Sequence, residues 1–235
     1  MNLVIRPSKA YLFDRLEKEL KKFTYGVGID AASANFKNRK MFKTDRYYGI
    51  DSDLAALKNG VEKYNSGNTF GIYADMKKLD ALPSGSAEVV VSTNSLDHLP
   101  GQDKIVAIEH LCRITAKPGE LLFQLSMDNL FPDAIKMAQK YFSNVKIVYY
   151  KNLASRLYES IFERKGDLGS HPIAGLRPFR LFAWLISRLE FLTGFTKIGN
   201  QQALVFCKNK KGDLPESNFD LSKISADGRI YSLID

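Results

Sequence analysis

The chain is poor in the residues that would make it a disulfide scaffold or a metal protein. It holds two cysteines and three histidines among 235 residues. Cys112 and Cys207 stand on a predicted helix and a predicted late strand, with no CxxC and no Cys/His ligand spacing. Neither a zinc site nor a disulfide framework is therefore expected, and no metal is assigned. No apolar run reaches the roughly 18 residues of a spanning helix. The opening stretch MNLVIRPSKAYLFDRLEKELKKF carries charges throughout and has no apolar h-region. It reads as an amphipathic helix covering a sheet rather than as a secretory signal. Reduced thiols and the missing export signal point to the cytoplasm.

What is present is enough for a sizeable core. With 45% hydrophobic residues, the chain accommodates one domain and an elaboration. Its net charge of +8 and pI near 9.3 would suit nucleic acid or an anionic membrane surface. The lysines are scattered, not interleaved with stacking aromatics, so nucleic acid is disfavoured and a solvated basic surface is the plainer reading.

Strands and helices alternate along the chain. Strands are predicted near 26–30, 46–50, 69–73, 87–92, 120–125 and 145–150, with a last one at 201–209. Helices are predicted near 53–64, 102–115 and 132–143. Helical crossovers between successive strands imply a mostly parallel sheet. The expected class is α/β, a Rossmann-like sheet with helices on both faces and a helical insertion before the last strand. The core would span 1–150 and 201–210, the insertion or lid 151–200, and a loosely docked C-terminal extension 211–235.

Polar residues collect where two of these strands end. Asp75 follows the strand closing at Tyr73, and Ser92, Thr93, Asn94, Asp97 and His98 follow the apolar run Ala87–Val91. In open α/β sheets ligands bind outside the carboxyl ends of the strands, near the switch in strand order.

Four segments together resemble a class I S-adenosylmethionine-dependent methyltransferase of the type 11 kind. They are GVGIDAASAN, in which Asp30 closes the first strand; YYGIDSD, in which Asp51 closes the second; the stretch from Asp75 through Pro83 to His98; and ITAKPGELLFQLS with its Lys117-Pro118-Gly119 turn. The resemblance covers about residues 25–128 and implies S-adenosyl-L-methionine as cofactor. It implies cofactor contacts from Asp30, Ala32, Ala34, Asp51, Ser52, Asp75, Met76, Thr93 and Asn94. Asp51 would take the ribose hydroxyls and Asp75 the adenine. Where the family has glycines this chain has Ala32, Ala34 and Phe36. A related subgroup has a reduced first helix followed by an Arg and a Phe. On that pattern Phe36 points away from the cofactor, Arg39 lies near the loop and Phe42 packs inward.

The insertion is too long for a bare loop. Leu153, Leu157, Ile161 and Phe162 share one side of a first helix, and Phe182, Leu185, Ile186 and Leu189 form a stripe on a second that opens at Pro178. A lid is the plain expectation; a peripheral membrane contact through 177–195 and a dimer contact are the other two.

Methyl transfer asks chiefly for alignment of a nucleophile. His98 is the candidate base where the acceptor is protonated, since imidazole ordinarily titrates at about 6.5, and Asp97 would orient it or share the task. His110 and His171 read as structural or surface residues. The function implied is methylation of a small-molecule or lipophilic acceptor. A catalytically silent methyltransferase fold serving as a binding or scaffold module is the alternative, motivated by the absent glycines. A dinucleotide oxidoreductase is weaker, because no GxGxxG is present.

Overall fold

A computed structural model describes residues 6–162, 176–212 and 219–234. Among the described residues nine strands form one sheet in the order β6-β7-β5-β4-β1-β2-β3-β9-β8. In chain order these are β1 (Val27–Ala31), β2 (Arg46–Asp51), β3 (Thr69–Tyr73), β4 (Ala87–Ser92), β5 (Thr115–Ser126), β6 (Phe142–Tyr150), β7 (Gln202–Lys210), β8 (Ala226–Asp227) and β9 (Ile230–Ser232). The pairs β1–β2, β1–β4, β2–β3, β4–β5 and β3–β9 are all parallel. Strand β1 is buried along its whole length, as its apolar VGI run requires in a sheet covered on both faces. The order reverses on either side of β1, so the carboxyl ends of β1 and β4 flank the switch point.

The helices are α1 (Pro7–Leu20), α2 (Leu54–Lys63), α3 (Asp103–Ile114), α4 (Phe131–Tyr141), α5 (Leu153–Phe162) and α6 (Arg177–Thr193). Asp53 caps α2, accepting from the Ala56 N–H at 3.0 Å. Between β1 and β2 there is only a short 3-10 turn, Arg39–Met41, in place of a full helix.

Two compact units emerge. One comprises 1–18 with 147–204, the other 19–146 with 205–235. Helix α1 thus joins the insertion: Tyr11 lies edge-on to Phe191 at 4.8 Å and beside Tyr150 at 5.9 Å. The C-terminal extension is not loosely docked. Strand β9 pairs with β3 in register Gly71↔Ile230 to Tyr73↔Ser232, and Phe219, Leu221 and Ile230 are buried. The polar composition of the tail hid this, because three strand residues and a few anchors suffice to extend an edge.

The insertion helices, for which lid, membrane and dimer readings stand open, turn most of their apolar stripes outward. Leu153, Leu157 and Ile161 are exposed, and α6 buries Ala183, Ile186, Ser187 and Glu190 while Phe182, Leu185 and Leu189 face outward. Buried Glu190 explains the inversion. It accepts from the Asn152 N–H at 3.1 Å and from the Ser155 hydroxyl, which turns the polar side of α6 inward. Glu159 of α5 is buried likewise, accepting from the Ser8 N–H at 3.0 Å. His171 lies outside the described residues. No helix among the described residues is long and apolar enough to cross a membrane.

Candidate active site at the carboxyl ends of the strands

After β1 the chain makes a tight loop in which three residues without glycine's freedom take left-handed backbone. Ala32, Ala34 and Phe36 have φ of 58°, 47° and 59°. These are the positions at which glycine was expected, so the glycine conformation persists without the glycines. Phe36 is turned into the core rather than outward. It is fully buried, edge-on to Tyr47 at 5.2 Å, and occupies the space left by two glycines. A Cβ added at Gly49 would run into its ring, and one at Gly60 would come within 2.7 Å. Phe42 is buried too, 5.0 Å from Tyr47. Arg39 reaches away from the crevice: its guanidinium bonds Thr69 (2.8 Å) and Asn68 (3.2 Å) at the amino end of β3.

Beneath the loop lies Asp30, fully buried. One carboxylate oxygen accepts from the Tyr47 hydroxyl (2.9 Å) and the other from the Asn38 amide (3.1 Å), which also reaches the Thr93 hydroxyl at 3.4 Å. Burial pushes the Asp30 carboxyl up to about 6, against the pull of these two donors. Burial likewise holds the Tyr47 phenol well above its ordinary range.

Asp51, at the end of β2, is half-buried and ties the loop to that strand. Its oxygens accept from the Ala34 N–H at 2.7 Å and the Asp53 N–H at 3.0 Å. Ser52 beside it is exposed. Asp75 accepts from the Lys77 N–H at 2.9 Å, and the Lys77 ammonium sits 3.6 Å from Asp75 and 3.0 Å from Asp103. Met76 is buried, its sulfur 4.0 Å from the Ser92 hydroxyl. His110 meets the Lys77 carbonyl at 3.1 Å, a structural contact.

The stretch after β4 is braced from β5. Asn94, at φ 55°, donates its N–H to Gln124 at 2.6 Å. Asp97 accepts from the Gln124 amide (3.1 Å) and from the N–H and hydroxyl of Ser126 (both 2.8 Å). Buried Lys104 lies 4.0 Å from Asp97 and pairs with Asp128. His98 ends the 3-10 turn Leu96–His98 and is exposed; its ring makes no hydrogen bond among the described residues.

The structure therefore puts Asp30 and Asp51 at the ends of β1 and β2, and Ala32, Ala34, Ser52, Asp75, Met76, Thr93, Asn94, Asp97 and His98 on the loops that leave the carboxyl ends of β1 to β4. It adds residues the sequence reading missed: Asn38 and Tyr47 under Asp30, and Gln124 and Ser126 behind Asp97. The latter pair had left a signal, being polar residues inside the buried run LLFQLS. Asn38 and Tyr47 had not, because they come 8 and 17 positions after their partner from other elements. Among the described residues no group of three or more His, Cys, Asp or Glu could hold a metal ion.

Residues 23–123 match the family model described as a methyltransferase domain. Solved structures share the fold. The N-methyltransferase NodS from Bradyrhizobium japonicum WM9, in complex with S-adenosyl-L-homocysteine, is 12% identical, with a TM-score of 0.55 over 86% of this chain and 85% of that one. A TehB-like SAM-dependent methyltransferase from Corynebacterium glutamicum ATCC 13032 is 13% identical, with a TM-score of 0.53 over 84% and 87%. The [4+2]-cyclase SpnF is 11% identical, with a TM-score of 0.55 over 86% and 82%. No curated protein matches the sequence.

Proposed function

We propose that the chain is a class I S-adenosylmethionine-dependent methyltransferase, on the match of residues 23–123 to the methyltransferase-domain model, and that it transfers a methyl group from this cofactor to a small-molecule acceptor. The observation that carries the reading is the loop Ala32–Phe36. It keeps left-handed backbone at all three glycine positions and is tied to the strand-ending Asp51 through the Ala34 N–H.

The donor set fits the cofactor. Each Asp51 oxygen takes one backbone N–H and retains acceptor capacity for a ribose hydroxyl. Asp75 would accept from the adenine amino group, with buried Met76 giving apolar contact. The backbone of Ala32 and Ala34, together with Ser52, Thr93 and Asn94, would border the rest of the molecule. Asp30 holds the loop from below.

S-adenosylmethionine supplies a methyl group already electrophilic on its sulfonium, so the protein has to align a nucleophile and exclude water. His98, exposed at the end of β4's loop, is the group placed to take a proton from an acceptor that carries one. Asp97 is engaged by Gln124 and Ser126 and acts as a positioning residue that fixes the turn bearing His98.

Calorimetry with S-adenosylmethionine tests the proposal. The parent should bind, and Asp51→Ala should lose about 1–3 kcal/mol, the scale for unpaired hydroxyl partners, with its circular dichroism intact. Equal affinity in the variant would remove Asp51 from the ribose. A parent that does not bind at all would leave a silent fold.

A further inference from the structure

The unit built from 1–18 and 147–204 carries an exposed apolar surface on α5, α6 and the turn that follows. Helices α5 and α6 bury their polar and small residues against each other and turn their leucines outward. Leu153, Leu157 and Leu192 are between 62% and 69% exposed, and Phe195 and Ile198 in the following turn are more than 80% exposed. Leu153, Leu157, Leu189, Leu192 and Ile198 line one groove of about 500 Å³, so they form a continuous patch and not scattered single residues.

Charge decides what the patch fits. In the described part of 147–204 both carboxylates, Glu159 and Glu190, are buried and hydrogen-bonded inside the unit. The cations Lys151, Arg156, Arg177, Arg180, Arg188 and Lys197 are all outside the core. Arg177 is one turn before Leu181 and borders the apolar stripe along the helix, whereas Arg188, one turn from both Leu185 and Leu192, is paired with Asp14 of α1. An apolar face edged by cations, with the acids of α5 and α6 themselves withdrawn, complements a surface that is apolar below an anionic layer.

We propose that this face docks on an anionic lipid bilayer, the leucines of α5 and α6 entering the acyl boundary and the arginines meeting lipid phosphates. This docking does not depend on the methyl-transfer reading.

Flotation of the full chain with phosphatidylcholine vesicles, with and without phosphatidylglycerol, tests it. The parent should float with the anionic vesicles only, and added salt should release it. Leu153→Glu combined with Leu192→Glu should cut the bound fraction about tenfold or more. Both positions are exposed, so circular dichroism should stay unchanged. Arg156→Ala combined with Arg177→Ala should weaken binding while leaving the leucines in place. A parent that stays in solution with anionic vesicles at low salt would overturn the proposal. So would a dimer by light scattering that the leucine variant splits, with no flotation of the parent, since the face would then belong to a second copy.

Discussion

Phe36 is the residue at which sequence and backbone disagree most. A phenylalanine at φ 59° costs on the order of 1 kcal/mol or more relative to relaxed backbone. Its ring offsets this by filling the space over Gly49 and Gly60 beside Tyr47. Replacing it separates the two terms. Phe36→Ala should destabilise the protein by about 3–5 kcal/mol in denaturant titration, through lost burial and the cavity left behind. Phe36→Gly should be milder by about 1 kcal/mol, because glycine takes this φ freely. Equal losses in the two variants would mean that the backbone is not strained there. The family pattern implied only that this aromatic points away from the cofactor. Its left-handed backbone was not legible, since nothing in the local sequence distinguishes a phenylalanine at positive φ from an ordinary one.

At the scale of elements, the tail closes the sheet. Arg229 donates to the carbonyls of Val61 (2.9 Å) and Ser66 (2.7 Å) and to the Asn65 side chain (3.1 Å), fastening β9 to the loop after α2. Tyr48 meets Phe219 at 4.6 Å and stacks on Phe70 at 5.0 Å, so the tail also covers an aromatic cluster of β2 and β3. Removing residues 219–235 should expose the β3 edge, lower the melting temperature and promote aggregation by light scattering. Arg229→Ala should do so more weakly. An unchanged melting curve in the truncation would show that β9 is decorative. The alternation of strands and helices from 26 to 150 was legible because each buried parallel strand is an apolar run with turn residues beside it. Strand β9 was not, because three residues carry no periodicity. The inward faces of α5 and α6 were not legible for a related reason: apolar spacing marks a stripe but not which side a buried carboxylate will claim.

For the whole molecule, stability should depend on pH through buried groups of opposite sign, of which Asp30 and Lys210 bound the neutral range. Asp30 titrates at about 6 in the fold and at its ordinary 3.8 when unfolded. The folded state therefore binds the proton more tightly, and stability is fully present below 3.8 and falls as pH rises to about 6. The full span is roughly 3 kcal/mol at 1.36 kcal/mol per unit. Lys210 runs the other way. It is buried, donates to the Arg113 carbonyl at 2.8 Å and to that of Thr115, and burial lowers it from 10.5 to about 8. Here the unfolded chain binds the proton more tightly, so stability should rise between about 8 and 10.5. Denaturation midpoints measured from pH 4 to 9, below the range in which the buried Cys112 and Cys207 thiols, both pushed up by burial, add an opposing slope, should trace a trough between the two windows. Asp30→Asn should lessen the fall on the acid side, where buried Glu190, also raised by burial, keeps a share, and Lys210→Met should flatten the rise on the alkaline side, because Asp30 lies under the β1 loop and Lys210 at the end of β7, without shared partners. A profile that stays flat between pH 4 and 6 in the parent would mean that Asn38 and Tyr47 hold Asp30 ionised in spite of its burial.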